Sequence, residues 1–199
     1  MSRRTESIGP EYFNNMYAAD PDPWRFASSH YEREKYAASL AALPQRRFAS
    51  ALEVGCSIGI FTAALAARCD RLLALDVADA ALARARENCA EAHVSFANLR
   101  VPGQWPPGRF DLIVFSEVLY YLDQTDVARV AGQARGAVRP GGCILLVHFL
   151  GETDYPLSGD DAAERFMLEA GLPRLRRQRT PLYRIDVLGV DQPPDANPG

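Results

Sequence analysis

The chain has 199 residues and a net charge of −3, and this length suffices for one domain with its own hydrophobic core. The acidic balance argues against a general nucleic-acid-binding protein, because such proteins usually carry a basic surface. The four cysteines form no C-x-x-C pair, so we expect free thiols in a reducing compartment and no metal site. No secretory signal and no membrane-spanning stretch is evident, so the sequence predicts a cytoplasmic protein that binds no membrane.

Short apolar strands alternate with helices along most of the chain. Helices are predicted at 31–43, 60–68, 80–91, 126–138 and 160–170. Strands are predicted at 51–54, 71–75, 93–96, 111–115, 143–149, 175–179 and 183–188. Asp79 is expected to cap the helix that follows it, and Pro140-Gly141-Gly142 to separate a helix from the next strand. This alternation predicts an α/β fold, a three-layer Rossmann-like sheet that is mostly parallel with an antiparallel C-terminal strand.

A glycine loop, Glu53-Val54-Gly55-Cys56-Ser57-Ile58-Gly59, follows the first strand. Gly55 allows a sharp turn, Gly59 allows close helix packing, and the exposed amides suit a polar ligand. Asp76 ends the second strand, and if Asp79 caps the helix, the Asp76 carboxylate is free to accept both hydroxyls of a ribose. Two alternatives stay open, namely a tight turn without a ligand and a nicotinamide dehydrogenase. The dehydrogenase fingerprint requires glycines where Ser57 and Ile60 stand, which disfavours it.

The order of motifs resembles that of class I S-adenosylmethionine methyltransferases. The shared features are E-x-G-x-x-x-G, an acid after the second strand, Phe110-Asp111-Leu112-Ile113-Val114, and Pro140-Gly141-Gly142 before the fifth strand. Three further segments resemble the nodulation N-methyltransferase (NodS-like) family: Asp22-Pro23-Trp24-Arg25, Tyr31-Glu32-Arg33-Glu34-Lys35-Tyr36 and Ser116-Glu117-Val118-Leu119-Tyr120-Tyr121-Leu122. The resemblance implies S-adenosylmethionine as cofactor, S-adenosylhomocysteine as product, and the free amine of a partly deacetylated chitooligosaccharide as acceptor.

The resemblance also implies the roles of individual residues. The loop from Gly55 to Gly59 would pack on the methionine end of the cofactor, Asp76 would hold the ribose, and Lys35 would pair with the cofactor carboxylate. The full set of expected cofactor residues is Trp24, Lys35, Glu53, Gly55, Cys56, Ser57, Gly59, Asp76, Val77, Asn98, Leu99 and Ser116. Within it, Val77, Asn98 and Leu99 would contact the adenine, and Trp24 would close the pocket with Lys35.

Glu117, Tyr120 and His148 follow or end strands four and five, where an acceptor is expected to bind. We therefore predict that these residues orient the amine of a small or amino-sugar acceptor for N-methylation. O-methylation of a small metabolite and a non-catalytic cofactor- or partner-binding protein are the alternatives. The sequence predicts one domain over 1–190, with a helical cap (1–44), a cofactor-binding core (51–150) and substrate-side elements (151–190). Residues 191–199 are expected to be disordered, and the oligomeric state is left open.

Overall fold

The computed structural model describes residues 3–44 and 46–189. Its helices are α1 (Pro10–Ala19), α2 (His30–Ala42), α3 (Ile60–Ala66), α4 (Asp79–Asn88), α5 (Gln124–Ala137) and α6 (Gly159–Ala170). Its strands are β1 (Ala51–Val54), β2 (Leu72–Asp76), β3 (Val94–Asn98), β4 (Phe110–Ser116), β5 (Val138–Phe149), β6 (Arg174–Arg179) and β7 (Tyr183–Gly189). A short 3-10 turn (Leu119–Tyr121) follows β4. The expected disorder of 191–199 lies outside the described residues.

The strands form one sheet in the order β3-β2-β1-β4-β5-β7-β6. Neighbouring strands from β3 to β5 are parallel, whereas β7 pairs antiparallel with both β5 and β6. This topology confirms the predicted Rossmann-like α/β fold. The direction of strand progression reverses between β1 and β4, and ligands of such sheets bind at the carboxyl ends of the strands beside that switch point.

The central strands are mostly apolar, as expected where helices cover both faces of a sheet. The four residues from Leu112 to Phe115 in β4 have no exposed surface. Val54, the last residue of β1, lies opposite Leu75 on one side and Phe115 on the other. The ends of β1, β2 and β4 therefore meet at one edge of the sheet, which the N-terminal helices border.

The two N-terminal helices begin at recognisable signals. α1 has Pro10 in its first turn, where a missing N–H costs nothing. α2 is capped by Ser29, whose side chain accepts a hydrogen bond from the amide of Glu32. Among the described residues, no helix is both long and apolar enough to span a bilayer.

Two local predictions were wrong. Asp79 is the first residue of α4 rather than its cap, and its carboxylate accepts a hydrogen bond from the Asn98 side chain at 2.7 Å. The amides of Val77 and Ala78, which precede α4, donate to the carboxylate of Asp76. The Pro140-Gly141-Gly142 segment does not separate α5 from the next strand, because β5 begins at Val138 and runs through it.

Candidate active site

A cavity of about 400 Å³ opens at the carboxyl ends of β1, β2 and β4. It brings together twelve of the fifteen residues that the sequence predicted for the site. These are Trp24, Lys35, Glu53, Gly55, Cys56, Ser57, Asp76, Val77, Leu99, Ser116, Glu117 and Tyr120. The cavity extends from the glycine loop after β1 to an aromatic wall beyond β4 and β5.

The glycine loop passes closely over the end of β4. Gly55 has φ +82°, and a Cβ atom at this position would lie 3.0 Å from the Cβ of Val118. Glycine is therefore required here both for its backbone conformation and for space. The loop leaves its inner face open to the cavity.

Ser57 occupies the position where class I loops usually carry a second glycine, and it keeps a glycine-like backbone with φ +52°. Its hydroxyl is hydrogen-bonded to the phenol of Tyr17 in α1. The Tyr17 ring meets Trp24 edge to face, with centroids 5.8 Å apart. The serine thus connects the cofactor loop to the N-terminal helical segment, a contact that the sequence analysis did not foresee.

Asp76 organises this end of the cavity through three backbone amides. One carboxylate oxygen accepts hydrogen bonds from Val77 (2.8 Å) and Ala78 (3.0 Å), and the other accepts one from Ser57 (2.8 Å). Burial raises the pKa of Asp76, and the three amides oppose that rise. An ionised carboxylate has about four acceptor positions. Asp76 is therefore less free than predicted, and it keeps about one position for a ligand hydroxyl.

Glu53 lies at the floor of the cavity with 1% of its surface exposed. Its Oε2 atom has no hydrogen-bond partner within residues 3–44 and 46–189, and burial raises the pKa of this carboxyl to about 7. A buried acceptor without a partner is costly, so Glu53 is suited to receive a donor from a ligand. The neighbouring Cys56 thiol is also buried, and burial raises its pKa.

Lys35 is buried between two carboxylates. Its ammonium lies 2.9 Å from Glu32 and 2.5 Å from Glu117, and the side chain is only 1% exposed. Burial lowers the pKa of Lys35, but the two carboxylates outweigh burial and raise it above its ordinary value. Lys35 thus stays charged, and within the protein its partners are these carboxylates. Its predicted pairing with a cofactor carboxylate stays a prediction.

Glu117 follows β4 with a left-handed backbone, φ +57°. Besides Lys35, its carboxylate accepts hydrogen bonds from the Tyr120 hydroxyl and from the amide of Phe149, each at 2.8 Å. These three donors, one of them a cation, match an ionised carboxylate. About one acceptor position remains for a group in the cavity.

Three of the predicted residues do not line the cavity. Gly59 starts α3 with φ +79° and packs on α4, where a Cβ would lie 2.8 Å from the Cα of Ala85. Asn98 lies at the surface beside Asp79. His148 was expected to face the acceptor, but it has no exposed surface and its ring lies behind Tyr120, with centroids 5.8 Å apart.

The buried environment of His148 explains its neutral character. Burial lowers its pKa to about 4, and neither ring nitrogen has a hydrogen-bond partner among the described residues. Successive side chains of a strand point to opposite faces, and the next residue, Phe149, is the one that lines the cavity.

The sequence analysis also missed several cavity residues. They are aromatic or acidic and come from segments distant in the sequence: Phe13, Tyr17, Glu32, Tyr121, Phe149 and Tyr155. Pro10 at the start of α1 was a usable signal for the helix that carries the first two. The others depend on tertiary packing that no local pattern records.

The sheet order, the glycine loop after β1 and the acid that ends β2 together define the Rossmann-like methyltransferase fold. A family model described as Nodulation protein S (NodS) matches residues 12–139. The chain belongs to this family.

Individual relatives agree with this placement. Nodulation protein S from Rhizobium tropici is 40% identical over 138 residues, which are 68% of this chain and 58% of that protein. Nodulation protein S from Bradyrhizobium diazoefficiens is 40% identical over 59% of this chain and 56% of its own length. The chain thus spans little more than half the length of these curated relatives.

Solved structures show the same fold. The N-methyltransferase NodS from Bradyrhizobium japonicum in complex with S-adenosylhomocysteine superposes with a TM-score of 0.80 at 24% identity, covering 92% of this chain and 99% of that one. A candidate methyltransferase from Pseudomonas syringae gives a TM-score of 0.70 at 36% identity, covering 81% of this chain and 99% of its own.

Proposed function

We propose that the chain is an S-adenosylmethionine-dependent methyltransferase that N-methylates the amine of a small or amino-sugar acceptor. One observation carries the choice of an amine: the carboxylate of Glu117 lies in the cavity next to the glycine loop and keeps an acceptor position free. Membership of the NodS family supports the cofactor and the reaction class.

The residues of the glycine-loop end suit S-adenosylmethionine. The unpartnered Oε2 of Glu53 can accept a hydrogen bond from the amino group of its methionine part. The remaining acceptor position of Asp76 can take a ribose hydroxyl. Asn98 lies at the surface and donates its side-chain NH₂ to Asp79, so it makes no contact with the adenine in this scheme. Val77 and Leu99, which line the cavity, would flank the ring.

When bound, the cofactor supplies a methyl group attached to a sulfonium sulfur, and the neutral thioether that remains is a good leaving group. The protein therefore contributes mainly alignment, which can lower a barrier by roughly 7–11 kcal/mol. Glu117 would accept a hydrogen bond from the acceptor nitrogen and fix the direction of its lone pair. Tyr120 and Lys35 would hold the Glu117 carboxylate in place. His148 takes no part in this scheme, because it lies outside the cavity.

Two other functions use the same fold. An O-methyltransferase would act on a hydroxyl, which needs no carboxylate to attract a cation. A non-catalytic protein would bind the cofactor and transfer nothing. The atom that becomes methylated distinguishes an O-methyltransferase from an N-methyltransferase. A non-catalytic protein is distinguished by giving no methylated product.

The test uses the purified chain with S-adenosylmethionine and matched panels of amines and hydroxyl compounds. Mass spectrometry follows S-adenosylhomocysteine formation, and NMR identifies the methylated atom. We expect methylation at nitrogen, and we expect Glu117→Gln to lower kcat/KM by about 10–100-fold, since a hydrogen bond to a charged group contributes about 1.5–3 kcal/mol.

Glu87→Gln is the matched control, because Glu87 is exposed on α4 away from the cavity. It should leave kcat/KM unchanged. Methylation at oxygen alone, or unchanged turnover in Glu117→Gln, would contradict the proposal.

A further inference from the structure

The acceptor end of the cavity is enclosed by aromatic side chains. Tyr121 and Tyr155 meet with centroids 4.6 Å apart, and Phe13 meets Tyr121 edge to face at 4.9 Å. Tyr120 stacks on Tyr155 at 5.4 Å with the two planes only 17° apart. These rings and Phe149 all line the cavity and form its aromatic wall.

The segment 3–9 closes this end against the loop after β5. The Arg4 amide donates to the carbonyl of Asp154 at 3.0 Å, and the Arg3 guanidinium donates to the carbonyl of Tyr155 at 3.2 Å. The Ile8 amide donates to the carbonyl of Tyr121 at 2.8 Å, and the Ile8 side chain lines the cavity. The backbone carbonyls of Tyr121, Asp154 and Tyr155 thus hold the segment 3–9 in place.

A further anchor lies beyond the aromatic wall. The Ser7 hydroxyl donates to Asp126 at 2.7 Å, and the Asp123 amide donates to the Ser7 hydroxyl at 2.9 Å. These bonds attach the segment 3–9 to the start of α5. The segment 3–9 is therefore hydrogen-bonded to the rest of the domain near both of its ends.

Charge favours a cation in this compartment. The Lys35 ammonium faces two carboxylates, Glu32 and Glu117, so anionic groups outnumber cations at the base of the cavity. Faces of tyrosine and phenylalanine rings also attract ammonium groups. An aromatic enclosure with a carboxylate at its base is complementary to an amine on an apolar body.

The volume of the cavity limits the length of an acceptor that can lie inside it. The whole cavity has about 400 Å³, near the lower end of the roughly 300–1,000 Å³ typical of small-molecule sites. If the proposed methyl transfer holds, the same cavity must take both the cofactor and the acceptor. A chain of several sugars would extend beyond the aromatic end, where the segment 3–9 is hydrogen-bonded to the loop after β5.

On these grounds, and resting on the proposed function, we propose that the acceptor is a small arylalkylamine rather than an oligosaccharide. Its ring would lie against Tyr121 and Tyr155, and its nitrogen would lie at Glu117. In the reaction the bound ammonium first loses one proton to solvent, the freed nitrogen lone pair bonds to the methyl carbon, and the bond from that carbon to sulfur breaks with its electron pair left on sulfur.

The experiment compares three amines as probes at saturating S-adenosylmethionine: phenethylamine, glucosamine and a partly deacetylated chitotetraose. We expect kcat/KM for phenethylamine to exceed that for glucosamine by at least about tenfold, which corresponds to one aromatic or cation–π contact. Chitotetraose should give no turnover.

Two variants of Tyr155 test whether its ring is responsible for the preference for phenethylamine. Tyr155→Ala should lower kcat/KM for phenethylamine by about tenfold or more, whereas Tyr155→Phe should stay within about twofold of wild type because the ring is kept. Leu168→Ala, at an exposed surface position, is the neutral control. Calorimetry with S-adenosylhomocysteine checks that every variant keeps its cofactor site and fold.

The outcomes separate the two proposals. Faster methylation of glucosamine or chitotetraose, or no effect of Tyr155→Ala, overturns the arylalkylamine assignment and leaves N-methyl transfer standing. A protein that binds S-adenosylhomocysteine but methylates no amine overturns the proposed function itself.

Discussion

The contact between Ser57 and Tyr17 allows a quantitative test of how the cofactor loop is held. An L-residue in the left-handed region costs roughly 1–2 kcal/mol, and Ser57 stands there with φ +52°. Its hydrogen bond to Tyr17 returns about 0.5–1.5 kcal/mol. Ser57→Gly relieves the strain but leaves the Tyr17 hydroxyl without its partner, which costs about 1–3 kcal/mol. Because these two effects nearly cancel, Ser57→Gly should change the free energy of unfolding by less than about 1 kcal/mol.

Ser57→Ala behaves differently, because it keeps the backbone strain and leaves the Tyr17 hydroxyl buried without a partner. It should cost about 1–3 kcal/mol, or roughly 2–12 °C in Tm for a chain of this size. Urea denaturation of Ser57→Ala, Tyr17→Phe and the double variant should give a coupling energy of about 1 kcal/mol. Tyr183→Phe is the control for removing a tyrosine hydroxyl elsewhere. Additive effects, or a Ser57→Gly variant less stable than Ser57→Ala, would refute the reasoning.

Four further variants test the packing and charge of the protein by urea denaturation. Gly59→Ala should destabilise by at least about 2 kcal/mol through backbone strain and overlap with α4, whereas Gly132→Ala in α5, with open space around it, should stabilise by about 0.5–1 kcal/mol. Lys35→Met should cost about 3–5 kcal/mol, because it leaves two buried carboxylates without their cation; a loss below about 1 kcal/mol would contradict this. The raised pKa of Glu53 stabilises the fold fully below its ordinary value of 4.5, and that contribution is lost as pH rises through about 7. The stability of Glu53→Gln relative to wild type should therefore increase by about 3 kcal/mol over that range, and a pH-independent difference would be the contrary result.

Much of the fold could be predicted because its signals are local. The buried strands are continuous apolar runs such as Leu112–Phe115, and polar or glycine residues end them. α1 was not predicted as a separate helix, although Pro10 lies in its first turn, and Tyr17 is its one buried residue. The Pro140-Gly141-Gly142 segment was misplaced because a bulge opposite β4, where the pairing shifts between Phe110 and Leu112, admits it into β5.

The site was predictable where residues directly follow a strand. Asp76 and Glu117 were located from that rule, and the structure brings both to the cavity. Lys35 and Glu117 are 82 residues apart in the chain, so only the folded structure reveals that they pair. His148 was wrongly expected to face the acceptor, because the end of a strand does not determine which of two successive side chains points into the cavity.

Cofactor binding is the most direct test of the proposed methyltransferase. Isothermal titration of the purified chain with S-adenosylhomocysteine and, separately, with NAD distinguishes the two ligand classes that a Rossmann-like sheet can serve. The structure predicts one site for S-adenosylhomocysteine, weakened at least about tenfold by Asp76→Ala through loss of a charged hydrogen-bond acceptor, and no heat with NAD. Binding of NAD without binding of S-adenosylhomocysteine would contradict the proposal.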